Sequence, residues 1–168
     1  MIALIYEEQK RSDLAISQLV DLKANLPFQD TLMLDVQDKL KQLYGQQKKF
    51  DLLNQLWNDL DASDSLRKSQ WALEIGQYGM DAVDYEIAKQ WFARSVNFNQ
   101  DEVGAKAALA YAKVLALQKD YKQANEWLVL QFVQADSRYY HLPDATVGLA
   151  YLAMADNFVL LKNYAQAK

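Results

Sequence analysis

A short pattern recurs along this chain of 168 residues at intervals of 35 to 43 residues. An aromatic residue is followed three positions later by Ala and four positions after that by a large apolar residue. Its clearest copies are Tyr85, Ala88, Phe92 and Tyr121, Ala124, Leu128. The five copies are anchored at Ala15, Leu53, Ala88, Ala124 and Ala167, which are 38, 35, 36 and 43 residues apart. A period in this range predicts stacked copies of one supersecondary unit.

A second set of positions precedes each anchor. Twelve residues upstream stand Ala3, Lys41, Gly76, Ala112 and Ala155, of which four are small. Nine residues upstream stand Tyr6, Tyr44, Gly79, Leu115 and Phe158, of which three are aromatic. Apolar residues at helical spacing on both sides of a short polar turn predict two antiparallel helices. The small residues mark the places where the two backbones come close.

These positions resemble the tetratricopeptide repeat, a helix–turn–helix unit of about 34 residues. Ile75-Gly76, Ala88 and Phe92 match its Leu-Gly, Ala and Phe positions. The other copies match through Ala3, Tyr6, Ala15 and Pro27, through Ala112, Ala124 and Leu128, and through Ala155, Phe158 and Ala167. The resemblance implies an all-α, right-handed superhelical solenoid of stacked hairpins. We expect the packing positions Ala3, Tyr6, Ala15, Gly76, Ala88, Phe92, Ala112, Ala124, Ala155 and Ala167 to lie at helix contacts.

We predict a single solenoid over residues 1–168, with repeats near 1–29, 34–67, 69–102, 105–138 and a partial one over 148–168. The predicted helices cover 2–9, 13–25, 30–45, 49–60, 66–80, 84–97, 103–118, 121–135 and 144–161. A further helix is expected from residue 164, after a turn at Lys162-Asn163. The chain opens and closes inside helical patterns, which predicts a segment of a longer array. Apolar surface at the ends of such an array predicts weak self-association.

Composition narrows the chemistry. Cysteine is absent and His141 is the single histidine, so thiolate and histidine-ligated metal sites and cysteine or histidine catalysis are not expected. No phosphate-binding glycine loop or serine-nucleophile motif occurs. The Asp59, Asp61, Ser63 series lacks the Gly and Glu of a calcium loop. We therefore predict no enzyme, no cofactor and no metal.

The charge distribution and the hydropathy limit the classes of partner that the chain is expected to bind. Residues 1–84 carry 9 basic and 14 acidic groups, and residues 85–168 carry 9 and 8, so neither half has the basic surface of a nucleic-acid binder. The longest apolar run, Val147–Ala155, is shorter than a bilayer span. We expect no nucleic-acid binding and no membrane insertion, which leaves a protein or peptide as the partner.

The resemblance places the binding surface on the first helix of each hairpin, which lines a concave groove in this family. Candidate groove residues are Gln70, Leu73, Gln77, then Lys106, Leu109, Lys113, then Leu149, Leu152, Asp156. Leu73 and Leu109 stand where carboxylate-clamping family members carry polar or basic residues, so that clamp is not expected. An equal alternative is that five leucines are covered by further helices: Leu109, Leu117, Leu149, Leu152 and Leu160.

Two function classes stay open at this point. One is a non-catalytic scaffold that binds a peptide or helix in the groove. The other is a structural spacer, or an assembly and self-association segment, of a larger bacterial repeat protein. The glutamine-rich, cysteine-free character and the Tyr-Ala-Gln-Ala-Lys ending resemble repeat proteins of the bacterial envelope.

Overall fold

The computed structural model of the chain describes residues 11–27, 31–134 and 136–166. Regular structure among these residues is helical throughout and includes no strand, which confirms the all-α prediction. The predicted helix over 2–9 and the packing residues Ala3, Tyr6 and Ala167 lie outside the described residues.

The chain divides into two compact units, and the first ends at Asp59. It contains helices α1 (Ser12–Asn25), α2 (Thr31–Gln46) and α3 (Phe50–Asn58), each of which contacts the next. Ala15, Leu40, Leu43 and Leu53 form its most deeply buried layer. Lys41 stands where the other repeats have a small residue. It is also buried, and its ammonium group lies 3.1 Å from the carboxylate of Asp38.

The second compact unit begins at Leu60. It contains α4 (Ser65–Asp81), α5 (Tyr85–Phe98), α6 (Glu102–Leu117), α7 (Tyr121–Leu128) and α8 (Asp144–Gln166). A five-residue π-helical turn, Val129–Val133, extends α7. Each helix contacts its neighbour in sequence, and α6 also contacts α4 and α8. One apolar core, which includes Phe92, Leu128 and Phe132, runs through this unit.

One turn geometry closes three successive hairpins. Lys48, Val83 and Lys119 each have positive φ, at 56°, 60° and 64°, and they are spaced by 35 and 36 residues. At Val83, the backbone N–H groups of Val83 and Asp84 donate to the carbonyls of Met80 and Gly79 at 2.9 Å. Equivalent pairs of bonds occur at Lys48 and Lys119. This is the Schellman arrangement that terminates α-helices, so the repeat in the sequence is also a repeat in backbone conformation.

Aspartates cap the N-termini of α4, α5 and α7. The side chains of Asp64, Asp84 and Asp120 accept hydrogen bonds from the backbone N–H groups of the third residue onward, at 3.0–3.2 Å. Each satisfies one of the donors that a helix N-terminus leaves unpaired and places a negative charge at the positive end of the helix dipole. Two of these caps directly follow a Schellman turn, so one helix ends and the next begins within three residues.

Helices α4 and α5 cross at very short range. A Cβ added to Gly79 would lie 2.8 Å from the backbone nitrogen of Ala88, and one added to Gly76 would lie 2.5 Å from the ring of Phe92. Farther along, Ser69 and Ser95 are both fully buried, and each hydroxyl lies within 2.9 Å of the other residue's carbonyl oxygen. Small residues at Gly76, Gly79 and Ala88 and the bonded serine pair therefore allow this close contact.

Helix α8 differs from the prediction. It runs without a break from Asp144 to Gln166, so the predicted turn at Lys162-Asn163 and the helix starting at residue 164 are wrong. No Gly or Pro follows Gly148 to interrupt it. Because no described helix folds back onto α8, Ala155 is exposed instead of lying at a helix contact, and Phe158 is 63% exposed.

Replacing Val83 with Gly is expected to stabilise the protein by roughly 1 kcal/mol. The left-handed backbone conformation is sterically unfavourable for a β-branched residue and is not unfavourable for Gly. Val83 is 68% exposed, so little burial is lost. Ala82→Gly is the control, since Ala82 has φ −82° and gains nothing. Urea denaturation measures both, and a less stable V83G protein would contradict the expectation.

Replacing Ala88 with Leu is expected to destabilise the protein by about 1–3 kcal/mol, because the added atoms overpack the contact with Gly79. Ala124, which is also fully buried, should respond in the same way. Ala145→Leu is the matched control on an exposed helix position and should change stability by less than about 0.5 kcal/mol. Equal denaturation midpoints for the A88L and A145L proteins would refute this description of the helix contacts.

Candidate functional site

The candidate groove residues lie on α4, α6 and α8, the three helices that contact one another in order. On each helix the set follows the same spacing of three and then four residues. The structure leaves most of the set exposed: Gln70, Gln77, Lys106, Lys113, Leu149, Leu152 and Asp156. The surface is therefore accessible, and we call these three rows of residues the groove stripe.

Leu73 and Leu109 behave differently from the rest of the set. Both are half-buried and pack against the core of the second compact unit. On α4 and α6 the exposed part of the stripe is consequently polar. Gln77 donates to the carboxylate of Asp81 at 2.8 Å, and Lys106 lies 3.9 Å from Glu102.

Exposed apolar surface is instead concentrated on α8. Leu149 and Leu152, which belong to the groove stripe, are 54% and 65% exposed. Four further apolar side chains of the helix are also exposed and were not among the predicted site residues: Tyr151, Phe158, Val159 and Leu160. In the sequence, these residues belong to a helix that is apolar at nearly every position. Such a helix is expected to be buried or in contact with a partner, but the pattern does not show which of its sides is packed.

Among the described residues, α8 is also the one helix whose length and composition suit a membrane span. Only 17% of that stretch is buried within the protein. Asp156 and Asn157 interrupt it near the middle, and Asn157 is used inside the fold.

A buried amide pair holds α8 in place. Asn157 donates from Nδ2 to Oδ1 of Asn125 on α7 at 2.9 Å, and both residues are buried. Ala150 and Met154 are buried on the same side of α8. Because a buried amide left without its partner is costly, this bond, together with the two buried apolar residues, holds one side of α8 against the fold.

The tryptophans at equivalent repeat positions are packing residues. Trp127 donates from Nε1 to the carbonyl of Ala108 at 2.9 Å and stacks on Tyr111 with ring centroids 4.4 Å apart. Trp91 is 3% exposed, and the guanidinium of Arg94 lies 4.3 Å from its ring centroid. Both rings therefore pack in the interior of the fold or at its edge.

The segment between the π-helical turn and α8 is anchored by Tyr139. Its buried hydroxyl donates to the carbonyl of Asn99 at 3.0 Å, and its ring packs on Phe132. Gly104 lies against both the Asn99 carbonyl and the Tyr139 hydroxyl, and any Cβ there would collide with them. Burial raises the pKa of Tyr139 to about 12, although the nearby charge of Arg138 acts in the opposite direction.

A shallow polar cleft of about 550 Å³ lies beside this segment. Its lining includes Gln131, Gln134, Ser137, Arg138 and His141. Arg138 is already bonded to the carbonyl of Val96 at 2.6 Å. Within the described ranges, no three His, Asp or Glu side chains are grouped closely enough to hold a metal ion. The side chains that share this cleft with His141 are mainly groups suited to hydrogen bonding.

Stability is expected to fall with pH between about 10 and 12, because Tyr139 keeps its proton in the folded state while the unfolded chain loses it near pH 10. The slope contributed by this one group is roughly 1.4 kcal/mol per pH unit. Tyr139→Phe should cost about 1 kcal/mol at neutral pH through the lost hydrogen bond and should show a shallower decline above pH 10. Urea titrations across this range measure the difference, and parallel curves would contradict it.

No protein-family model matches the chain, and no curated protein has a significantly similar sequence. The likeness to tetratricopeptide repeats therefore rests on the recurring small and aromatic positions of this chain alone.

Proposed function

We propose that the chain is a non-catalytic protein-binding scaffold built from tetratricopeptide-like hairpins that stack into a right-handed superhelix. A helix or extended peptide of a partner protein lies along the groove stripe on α4, α6 and α8. The observation that carries the proposal is the exposure of Leu149 and Leu152 on a helix whose opposite side is anchored by buried residues.

The groove stripe grades from polar to apolar along its length. The exposed residues of the groove stripe are glutamines on α4 and lysines on α6. On α8 they are mainly leucines. Exposed leucines beside sparse charges suit the apolar face of an amphipathic helix, which is read by contacts spaced three and four residues apart. Lys106 and Lys113 favour acidic residues toward one end of such a ligand, and Asp156 favours a basic residue toward the other.

The proposal excludes catalysis for a positive reason. The polar side chains of the groove stripe are amides, lysines and one aspartate, spread over three helices. A reaction centre needs a nucleophile or a proton-transfer group held in hydrogen-bonding reach of a partner. Affinity in this design comes from desolvated leucine surface, and the few charges orient the ligand.

A structural spacer or assembly segment is the second candidate. The exposed surface of α8 extends well beyond the groove stripe and includes Phe158 and Val159. That additional surface favours a contact with another large apolar face. The two candidate functions predict different positions for the substitutions that abolish function.

The test is binding of the full chain to amphipathic helical peptides selected from a display library and measured by fluorescence anisotropy. Leu149→Glu and Lys113→Glu should each weaken binding about tenfold, as expected when an apolar anchor or an orienting charge is reversed. Because leucines dominate, raising the salt concentration should weaken wild-type binding only slightly.

The matched control is Leu130→Glu. Leu130 is 54% exposed and lies in the π-helical turn after α7, on none of the three groove helices, so it makes the same kind of change away from the groove stripe. Its binding should stay within a factor of about two. Selected peptides that bind all three variants as well as the wild type would refute the groove, and failure to select any peptide would favour the spacer.

A further inference from the structure

Helix α8 carries a second row of residues that the groove stripe does not use. Its positions alternate in steps of four and three from one end of the helix to the other: Asp144, Gly148, Tyr151, Ala155, Phe158 and Lys162. This seven-residue period is the pattern by which one helix presents a continuous row to another helix. We call the six residues the seam.

The seam faces away from the body of the protein. Tyr151 is 51% and Phe158 is 63% exposed, and Asp144, Ala155 and Lys162 are exposed as well. The residues that attach α8 to the second compact unit, Ala150, Met154 and Asn157, occupy a different side of the helix. Leu152 and Val159, 65% and 60% exposed, flank the seam.

The seam is complementary to itself when one copy is reversed. With two antiparallel copies centred on position 153, Asp144 of one lies opposite Lys162 of the other. In the same register Gly148 lies opposite Phe158, and Ala155 lies opposite Tyr151. Each aromatic ring therefore meets a small residue and each acid meets a base, along about five turns of helix.

Gly148 is the residue that the fold itself does not explain. A Cβ added at Gly76, Gly79 or Gly104 would meet neighbouring atoms at less than 3 Å, whereas one added at Gly148 meets nothing within 4 Å. Glycine inside a helix weakens it relative to alanine, and no contact with the described residues requires it here. A phenylalanine ring placed against it by another helix would require it.

We propose that two copies of the chain pair through their seams as an antiparallel, two-fold symmetric dimer. In such an interface one patch serves both partners, so a patch that complements itself on reversal is what the symmetry demands. The occupant of the exposed side of α8 is thus a second copy of this chain.

The exposed area is sufficient for a weak dimer. Tyr151, Leu152, Phe158 and Val159 each expose half to two thirds of their surface, which with the stems of their neighbours gives roughly 500 Å² per copy, since an aromatic side chain alone measures about 150–250 Å². Two copies would bury roughly 1,000 Å², the lower limit for a specific interface. We therefore expect dissociation in the micromolar range.

Sedimentation equilibrium of the full chain over a wide concentration range tests the pairing. The wild type should shift from monomer to dimer as concentration rises, and Phe158→Glu should weaken the dimer at least about tenfold. Leu149→Glu is the matched control, because it replaces an exposed apolar residue of the same helix outside the seam and should leave the dimer unchanged. Circular dichroism verifies that both variants are folded.

The register is tested by cysteines, since the chain has none of its own. Mixed Asp144→Cys and Lys162→Cys proteins should form a disulfide-linked dimer under mild oxidation. Either variant alone should not, because like positions lie about 27 Å apart along antiparallel helices.

Three results would overturn the proposal. One is a monomer at every concentration, and another is efficient cross-linking of a single variant with itself, which would indicate parallel pairing. The third is Phe158-dependent flotation with phosphatidylcholine vesicles, which would assign the seam to lipid. Leu152 borders both surfaces, so the groove stripe is tested separately through Leu149 and Lys113.

Discussion

The short distance between the backbones of α4 and α5 is the constraint on which the second compact unit depends. At Gly79 and Ala88 no side chain separates the two helices, so neither position tolerates a larger residue. Contact at this range brings Ser69 and Ser95 together, and it seats Phe92 in the space beside Gly76. The apolar core that extends to α8 includes Ala88 and Phe92 from this helix crossing.

Much of this could be predicted from the sequence because spacing carries the information. Ala88, Phe92 and Ala124 recur at fixed offsets, and fixed offsets along helices translate directly into one buried side. The left-handed turns were not predictable in the same way. Such turns usually carry Gly, but here they are formed by Lys48, Val83 and Lys119, which carry no turn signal. Only their position between two helical patterns indicates them.

The exposure of the candidate site residues could be predicted only in part from the sequence pattern. The groove positions on α4 and α6 alternate with buried residues, so their exposure was foreseeable, although the degree to which Leu73 and Leu109 turn into the core was not. On α8, apolar residues surround the helix, and periodicity does not distinguish the packed side from the open one. The packed side carries Ala150, Met154 and the bond between Asn125 and Asn157, and a pairing between two distant amides leaves no trace in the local sequence.

The contact pattern of the second compact unit has a consequence for how the chain folds. Its helices contact the next helix or the one after that, so no distant segments have to find each other first. Chains with such local topology fold within microseconds to milliseconds, and any hairpin can act as the nucleus. Amide hydrogens should therefore exchange in graded order, slowest where α4 crosses α5 and fastest toward the far end of α8.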